Sequence, residues 1–290
     1  MTGVLLMAHG TPSSLDEMPE YLTRVRGGRP PSPELVAEMR HNYEAIGGRS
    51  PLTSLTFDQG AALHARFGGR VPVAVGMRNW TPYLADAVVQ LSRAGVSRIV
   101  AIPLAPQFST LSVAKYYEAA GAAIPEGMQL ERVDSFHAHP LLVAAFAARV
   151  REAAPAPDEE VVFTAHSLPV RVIAGGDRYG VEVAETARAV ASACGIRRYH
   201  RAFQSAGRTP EPWMGLDLGE LLRHRAARGT KRFLVVPIGF VCDHTEILFD
   251  IDVQAAGVAR DLGVSLRRTA SLNDSPLFID LLERLVLDRL

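Results

Sequence analysis

The chain has 290 residues, the size of one large α/β domain or of two similar smaller ones. Apolar residues make up 48% of the chain and charged residues 21%, an ordinary globular composition that excludes a disordered, fibrous or coiled-coil protein. Basic and acidic residues balance at 31 each, so no overall charge favours binding to nucleic acid or to an anionic membrane.

Cysteine content and hydropathy indicate the compartment. The two cysteines, Cys194 and Cys242, cannot form a disulfide framework or hold a four-cysteine cluster, which favours a reducing environment. No stretch reaches the roughly 18 apolar residues that a membrane span requires. The first residues lack the basic lead of a signal peptide, and their apolar run is short. We therefore expect a cytoplasmic protein without a membrane anchor.

Short apolar runs alternate with amphipathic stretches along the chain. The apolar runs predict eight strands, at residues 4–8, 71–75, 98–103, 130–133, 161–165, 199–203, 233–237 and 265–268. The amphipathic stretches predict helices, the clearest at residues 83–94, 141–153, 181–194, 216–228 and 277–290. Because the strands are continuous apolar runs, we expect parallel sheets that are covered on both faces.

The second half of the chain repeats three segments of the first half in the same order. The pairs are residues 4–12 with 161–169, 98–104 with 232–238, and 135–143 with 271–279. The repeat predicts an α/β fold of two similar Rossmann-like lobes, each a four-stranded parallel sheet flanked by helices. We place the N-terminal lobe at residues 1–153 and the C-terminal lobe at 154–290, with a last helix that can pack back on the first lobe. A ligand site is expected in the cleft between the lobes, at the carboxyl ends of the strands.

Titratable side chains follow two of the strands at this predicted cleft. His166 comes directly after the fifth strand, where it is either functional or a simple capping histidine. The segment after the seventh strand brings Asp243, His244 and Glu246 within four residues. A helix N-cap at Asp243 with Glu246 as its capping-box partner explains those two residues, but not His244 or Asp250. A row of carboxylates at a cleft suits a divalent cation bound by oxygen ligands better than a closed zinc site.

Arginines form a second polar cluster in the N-terminal third. Arg24, Arg26 and Arg29 precede a proline-rich stretch and a glycine-rich loop. Arginines can grip carboxylates bidentately, and the alternative is a solvated basic helix end. Further polar side chains at residues 107–110 and 203–205 follow predicted strands, and they either face the cleft or pack within their own loops.

Together, these segments resemble the ferrochelatase family over essentially the whole chain. The matching motifs are residues 43–52, 104–110, 164–169, 203–205, 212–213 and 239–246. The Ala-His-Ser-Leu-Pro block at 165–169 and the Asp-His-x-Glu block at 243–246 are specific as a pair. The resemblance implies insertion of ferrous iron into a porphyrin by a two-lobed, chelatase-like protein. The arginine–proline segment is similar to that of bacterial coproporphyrin III ferrochelatases, which implies coproheme as the product.

The resemblance also implies roles for individual residues. His166 and Glu246 would be the catalytic residues and the metal contacts, because two pyrrole protons must leave as iron enters. Asp243, His244 and Asp250 are candidates for a metal path. Contacts with the porphyrin or its propionates are implied for His9, Arg26, Asn42, Tyr43, Ser50 and Tyr116.

Four positions depart from the family pattern, and one of them is Gly27, which stands where a second arginine is common. His9 stands where a tyrosine is common, on the porphyrin face opposite His166, and is expected to ligate the product iron. Asn42 and Gln254 stand where an arginine and a carboxylate are found in relatives. A propionate contact at Asn42 and an outer metal site near Gln254 are therefore weaker expectations.

The implied ligands and partners are few. We expect no tightly bound cofactor and no iron–sulfur cluster, since members with a [2Fe–2S] cluster use four cysteines. Ferrous iron and coproporphyrin III are the expected substrates of a monomer that hands coproheme transiently to the coproheme decarboxylase. The alternatives are a protoporphyrin IX ferrochelatase, a cobalt or nickel chelatase of the sirohydrochlorin type, and a non-catalytic tetrapyrrole carrier. A carrier would not require both His166 and Glu246.

Overall fold

The computed structural model describes residues 1–207 and 209–290. Its strands form two separate four-stranded sheets in which every neighbouring pair is parallel. The first sheet contains β1 (Thr2–Ala8), β2 (Val73–Met77), β3 (Arg98–Pro103) and β4 (Gln129–Arg132). The second contains β5 (Glu160–His166), β6 (Tyr199–Gln204), β7 (Arg232–Val236) and β8 (Ser265–Arg268). The strand orders, β2-β1-β3-β4 and β6-β5-β7-β8, are the same arrangement twice, so the predicted pair of similar lobes is confirmed.

Helices flank both sheets in the described part of the chain. In the first half these are α1 (Met18–Val25), α2 (Pro33–Ala45), α3 (Leu52–Arg66), α4 (Leu84–Arg93), α5 (Val113–Gly121) and α6 (Pro140–Ala153). The second half contains α7 (Val170–Ala174), α8 (Tyr179–Ala193), α9 (Leu218–Ala226), α10 (Thr245–Leu248), α11 (Ala256–Asp261) and α12 (Pro276–Leu287). A π-helix, Asp250–Ala255, joins α10 to α11.

The strands differ in how deeply they are buried. The inner strands β1 and β5 are almost completely buried, as their continuous apolar sequences predict. The edge strands β4 and β8 are partly exposed and carry charged side chains, which protect a sheet edge from pairing with other chains. The second strand begins two residues later than predicted, at Val73, because its register is set by β1, where the Val4 amide bonds to the Pro72 carbonyl.

One layer of helices lies between the two sheets. The largest apolar core contains residues of α3, α6, α8 and α12 together with side chains from both sheets. Within this layer α12 packs against α3 and α6, and α6 packs against α8. The outer faces of the sheets have smaller cores of their own, formed with α4 and α5 on the first sheet and with α9 and α11 on the second. The two lobes therefore share most of their buried apolar surface.

The strand order determines where a ligand can enter. In each sheet the chain leaves the first central strand toward one edge and later returns to the other side of it, which creates a crevice at the carboxyl ends. His9 follows β1 and His166 ends β5, so each histidine lies at the crevice of its own sheet. The loop after β7, which leads to α10, borders the crevice of the second sheet.

Candidate active site

The centre of the site is a histidine–carboxylate pair. His166 lies at the carboxyl end of β5, and its Nδ1 is hydrogen bonded to the Ser167 carbonyl. A carbonyl oxygen only accepts, so Nδ1 carries the proton and Nε2 presents a lone pair. Nε2 lies 3.7 Å from Oε2 of Glu246. The imidazole therefore presents a basic nitrogen to the same space as the carboxylate.

Glu246 reaches this position because the loop after β7 runs close against β5. A Cβ added to Gly239 would lie 2.7 Å from the Cβ of Ala165, so a larger residue there would push the loop away from His166. His244 precedes α10, and its Nδ1 lies 3.0 Å from the Cys242 carbonyl. Its Nε2 therefore also carries a lone pair, and it lies 3.8 Å from the same Glu246 oxygen.

The two imidazoles control the charge of Glu246. Burial by itself would raise the pKa of this carboxyl, but the positive charge that His166, His244 and His9 carry when they are protonated outweighs burial and lowers the pKa to about 2. The Glu246 backbone is also fixed, because the amide of the buried Gln204 donates a hydrogen bond to its carbonyl. The site therefore holds an ionised carboxylate at neutral pH, between two imidazole nitrogens.

Asp250 behaves in the opposite way. It begins the π-helix, an element that often occurs at functional sites, and it accepts a hydrogen bond from the Ser205 hydroxyl. Burial, with the neighbouring negative charge of Glu246, raises the pKa of Asp250 to about 6. Two neighbouring carboxyls thus differ in proton affinity, a pattern typical of sites that move protons. Gln204 and Ser205 belong to the Phe-Gln-Ser motif. Gln204 is hydrogen bonded to the Glu246 carbonyl, and Ser205 is hydrogen bonded to the Asp250 carboxylate.

His9 lies on the first lobe, facing this group. Asn79 approaches the ring edge, with its Nδ2 3.1 Å from Nε2 and 3.3 Å from Nδ1, and the Tyr21 ring packs edge-on at 6.3 Å. Burial, helped by the positive Arg78, lowers the pKa of His9 to about 4, so the ring is neutral at pH 7. The pKa of His9 also responds to Glu246, which places the two residues at one cleft.

Two of the predicted porphyrin contacts, Tyr43 and Tyr116, are buried side chains of the first lobe. Tyr43 on α2 is buried beside Tyr21, and burial raises its pKa to about 12. Tyr116 on α5 is also buried, and burial raises its pKa to about 12 although the Arg78 guanidinium lies 5.4 Å from its ring centre. Both phenols are therefore protonated at neutral pH, and both rings are buried in this structure.

The other predicted porphyrin contacts, Arg26, Asn42 and Ser50, differ in exposure. Arg26 ends α1 with its side chain exposed, and among the described residues it has no ion-pair partner. Asn42 is partly exposed on α2. Ser50 is buried, and its hydroxyl accepts a hydrogen bond from the Leu52 amide at the start of α3, 3.3 Å away.

Asp243 has a different environment from the one its sequence suggests. Its carboxylate accepts hydrogen bonds from Ser271 and Asn273 and pairs with Arg268. The interpretation of Asp243 as a helix N-cap is wrong, because α10 begins after His244 and shows no side-chain cap.

In the described ranges, no three His, Cys, Asp or Glu side chains are arranged to hold a metal ion.

Residues 107–110 hold the lobes together instead of facing the cleft. The Gln107 amide lies 3.1 Å from both the Thr186 hydroxyl and the Ile238 carbonyl. The Phe108 amide donates to buried Glu182 at 2.7 Å, and Asp177 accepts from the following two residues. The loop-packing alternative is therefore the correct one for this motif.

Sequence reasoning missed the residues behind His9. Arg78 and Asn79 follow β2, and their backbone amides donate to the carbonyls of Ala8 and His9. The available signal was their position, since they are polar residues directly after a buried strand whose end borders the cleft.

Comparison with known families identifies the chain. The ferrochelatase family model matches residues 1–290. The protein belongs to the ferrochelatase family. Among curated ferrochelatases, that of Deinococcus radiodurans is 43% identical, and the alignment covers 98% of this chain and 94% of the relative. A coproporphyrin III ferrochelatase of a Geobacillus species is 37% identical, with 99% and 97% covered. The resemblance inferred from the sequence motifs is confirmed, and the enzyme class is that of the metal chelatases.

Solved structures confirm the chelatase-like fold. SirB from Bacillus subtilis with Fe³⁺ superposes with a TM-score of 0.61 at 12% identity, covering 99% of this chain and 94% of SirB. CbiX, described as the terminal enzyme of siroheme biosynthesis in denitrifying bacteria, gives 0.56 at 16% identity with 99% of both chains covered. Identities this low support the two-lobed fold alone. Within the described residues, no helix is both long and apolar enough to cross a membrane.

Proposed function

We propose that this ferrochelatase inserts ferrous iron into coproporphyrin III and releases coproheme in the cytoplasm. The observation that carries the chemistry is the His166–Glu246 pair, in which a basic Nε2 lies 3.7 Å from an ionised carboxylate at the cleft between the lobes. Insertion needs a base for the pyrrole protons and weak ligands for the entering metal. This pair supplies both, without holding iron as a closed site would.

The substrate assignment is supported by relatives and by charge. Curated relatives called coproporphyrin III ferrochelatase align over nearly the whole chain, including those of Anoxybacillus flavithermus at 39% identity and Bacillus pumilus at 34%. Coproporphyrin III carries four propionates. The exposed Arg26 is available to bind one of them, since a guanidinium suits carboxylates in geometry and charge. Asn42 and Ser50 would add weaker polar contacts.

His166 acts as the base in this proposal. The Ser167 carbonyl fixes the ring tautomer, so Nε2 is the nitrogen that takes a proton from the macrocycle. Glu246 stabilises the imidazolium that forms, because its carboxylate is ionised at every physiological pH. The His244 Nε2, 3.8 Å from Glu246, provides a second nitrogen contact for the entering iron.

The carboxylates continue this route. Asp250, with a pKa of about 6, can accept a proton from the Glu246 side and release it to water near neutral pH. Iron would approach along the same carboxylate oxygens, because carboxylates bind divalent cations and imidazole nitrogen suits iron. Asp243 contributes to this path only indirectly, because its own carboxylate oxygens already accept hydrogen bonds from Ser271 and Asn273.

His9 is the proposed ligand of the product iron. It is neutral, is positioned by Asn79, and lies on the lobe opposite His166. An imidazole is a stronger-field ligand than a phenolate, so the iron product bound to this protein should show a nitrogen-ligated spectrum. Release of coproheme to the decarboxylase then requires that this bond break.

The first experiment is anaerobic insertion of Fe²⁺, followed by absorbance, with coproporphyrin III and protoporphyrin IX offered separately. Rapid coproheme formation with little protohaem supports the proposal. Preference for protoporphyrin would keep the chemistry and overturn the substrate. Tight porphyrin binding without iron insertion, together with turnover of cobalt or nickel, would favour a different chelatase.

Two substitutions test the catalytic pair. His166→Ala should abolish insertion and leave porphyrin binding, measured by fluorescence quenching, within about twofold, because the base is removed while the cleft stays. Glu246→Gln should slow insertion by about a hundredfold or more, the usual contribution of a positioned acid or base. His224→Ala, at an exposed position of α9, is the matched control and should keep normal turnover. Normal turnover in His166→Ala would contradict the mechanism.

A further inference from the structure

Both carboxylate oxygens of Asp243 have protein partners, and the side chain is 22% exposed. Its Oδ1 lies 2.7 Å from the Ser271 hydroxyl and 3.1 Å from Nη2 of Arg268. Its Oδ2 lies 3.1 Å from the Asn273 side-chain amide, and its backbone amide donates to Asn273 Oδ1 at 2.9 Å. These contacts fix the chain three residues before Glu246.

Arg268 joins that point to the helix on the other side of Glu246. It lies on the edge strand β8, yet its side chain is only 14% exposed. Its Nε and Nη2 form a two-pronged contact with Asp252 of the π-helix at 2.7 and 2.9 Å. Nη1 donates to the Thr269 carbonyl at 3.1 Å. A single guanidinium therefore holds both the loop before Glu246 and the π-helix after it.

The same network reaches the first lobe. The Asn273 carbonyl accepts a hydrogen bond from the amide of Gln59 at 2.8 Å. Gln59 is completely buried on α3, next to the interlobe core. An unbroken series of contacts thus runs from α3 through Asn273, Asp243 and Arg268 to Asp252.

We infer that Arg268 is a positioning residue for iron insertion, which fixes Glu246 and His244 against His166 without touching the substrate. The inference rests on the proposed function of that pair. The helix α10 has four residues, too few to hold a direction by its own hydrogen bonds. Within α10, Gln204 holds the Glu246 carbonyl, and the chain segments on both sides of the helix bind Arg268. Small displacements of reacting groups reduce rates steeply, so loss of the Arg268 contacts should affect turnover far more than porphyrin binding.

The neighbouring residue offers a matched control. Arg267 also forms a two-pronged pair on β8, with Glu159 at 2.7 and 2.6 Å, and it donates to the Ala153 carbonyl at 2.6 Å. Successive residues of a strand face opposite sides, so the Arg267 side chain binds the segment between the lobes and not the site. Loss of either arginine removes one arginine–carboxylate contact from the same strand. Only the contacts of Arg268 hold the segments on the two sides of Glu246.

The test compares Arg268→Gln, Arg268→Lys and Arg267→Gln in steady-state iron insertion. We expect Arg268→Gln to lower kcat between about tenfold and a hundredfold, with KM for coproporphyrin III within about twofold. Arg268→Lys should recover part of kcat, because it keeps a positive charge between Asp243 and Asp252 but loses the fork. Arg267→Gln should keep the kcat of the parent protein. Equal kcat in the two glutamine variants, or a loss confined to KM, would overturn the inference.

A second readout does not depend on activity. In the parent protein, NMR of the imidazole nitrogens should show His244 protonated at Nδ1, because that nitrogen donates to the Cys242 carbonyl. Arg268→Gln should replace this by a mixture of tautomers, and Arg267→Gln should leave it unchanged. If the parent inserts no iron but Arg268→Gln loses the Nδ1–H signature, the proposed function fails, and the positioning of His244 by Arg268 is supported. An unchanged Nδ1–H signature in Arg268→Gln would contradict the positioning role of Arg268, whatever the activity.

Discussion

Replacing Asp250 by asparagine should make the protein more stable and a poorer enzyme. The folded protein raises the pKa of Asp250 from 3.8 to about 6, which corresponds to about 3 kcal/mol spent at neutral pH on keeping this group ionised. Asparagine has no charge to bury, and its Oδ1 can still accept the Ser205 hydroxyl. We therefore expect Asp250→Asn to raise the free energy of unfolding by up to about 3 kcal/mol at pH 7.5. Insertion should slow, because a proton acceptor is lost from the route.

The pH dependence gives the sign of the effect. The folded protein binds the Asp250 proton more tightly than the unfolded chain does, so the stability of the parent falls as the pH rises through about 6. Below about 3.8 both states are protonated and the difference disappears. The gain from Asp250→Asn should therefore shrink to about 1 kcal/mol at pH 4.5.

Urea unfolding at the two pH values measures this directly. The Glu246→Gln background is the control, because removal of the neighbouring charge lowers the pKa of Asp250 and should reduce the gain. A variant that is no more stable than the parent at pH 7.5, or a gain that does not change with pH, would refute the reasoning.

Three further substitutions test other parts of the molecule. Glu182→Ala should lower the free energy of unfolding by about 3–5 kcal/mol, since it removes a buried carboxylate that accepts bonds from the first lobe; urea unfolding measures the loss, and a change below 1 kcal/mol would contradict it. Gly239→Ala should cost about 1–3 kcal/mol by thermal unfolding, because its Cβ would meet Ala165, whereas Gly121→Ala at an open helix end should be neutral or slightly stabilising. His9→Ala should change the absorbance spectrum and speed the release of the iron product, and an unchanged spectrum would exclude His9 as its ligand.

The sequence was sufficient to predict the fold because both halves of the chain encode the same arrangement of strands. Continuous apolar strands, a repeat in the same order and short connections predicted two parallel sheets, and both sheets have the predicted number of strands and the same strand order. Position alone placed His166 and the segment that contains Glu246 at one cleft, since each follows a central strand of one sheet and carboxyl ends meet at one edge, and the family resemblance paired the two residues. The family resemblance added their proposed roles.

The limits of the sequence lay in contacts between distant segments. Asp243 looked like a helix cap because local spacing favoured it, but its partners come from a strand and a loop 25 to 30 residues later, as with Arg268 and Asn273. Gln107 follows a central strand just as His166 does, and only the packing of α8 against its loop assigns it to the interlobe contact. No local pattern distinguishes these cases, because each depends on which element covers the strand end.

The shared helix layer affects how the protein can be made. The helix α12 follows both sheets in the chain, yet it packs against α3 of the first lobe. During synthesis, the inner face of the first sheet therefore waits, incompletely covered, until the C-terminal segment has left the ribosome. A stop codon before α12 would leave apolar surface of both lobes open to aggregation. For the same reason, splitting the gene between the lobes would separate α3 from a helix that it needs, so the two halves should fold well only when produced together.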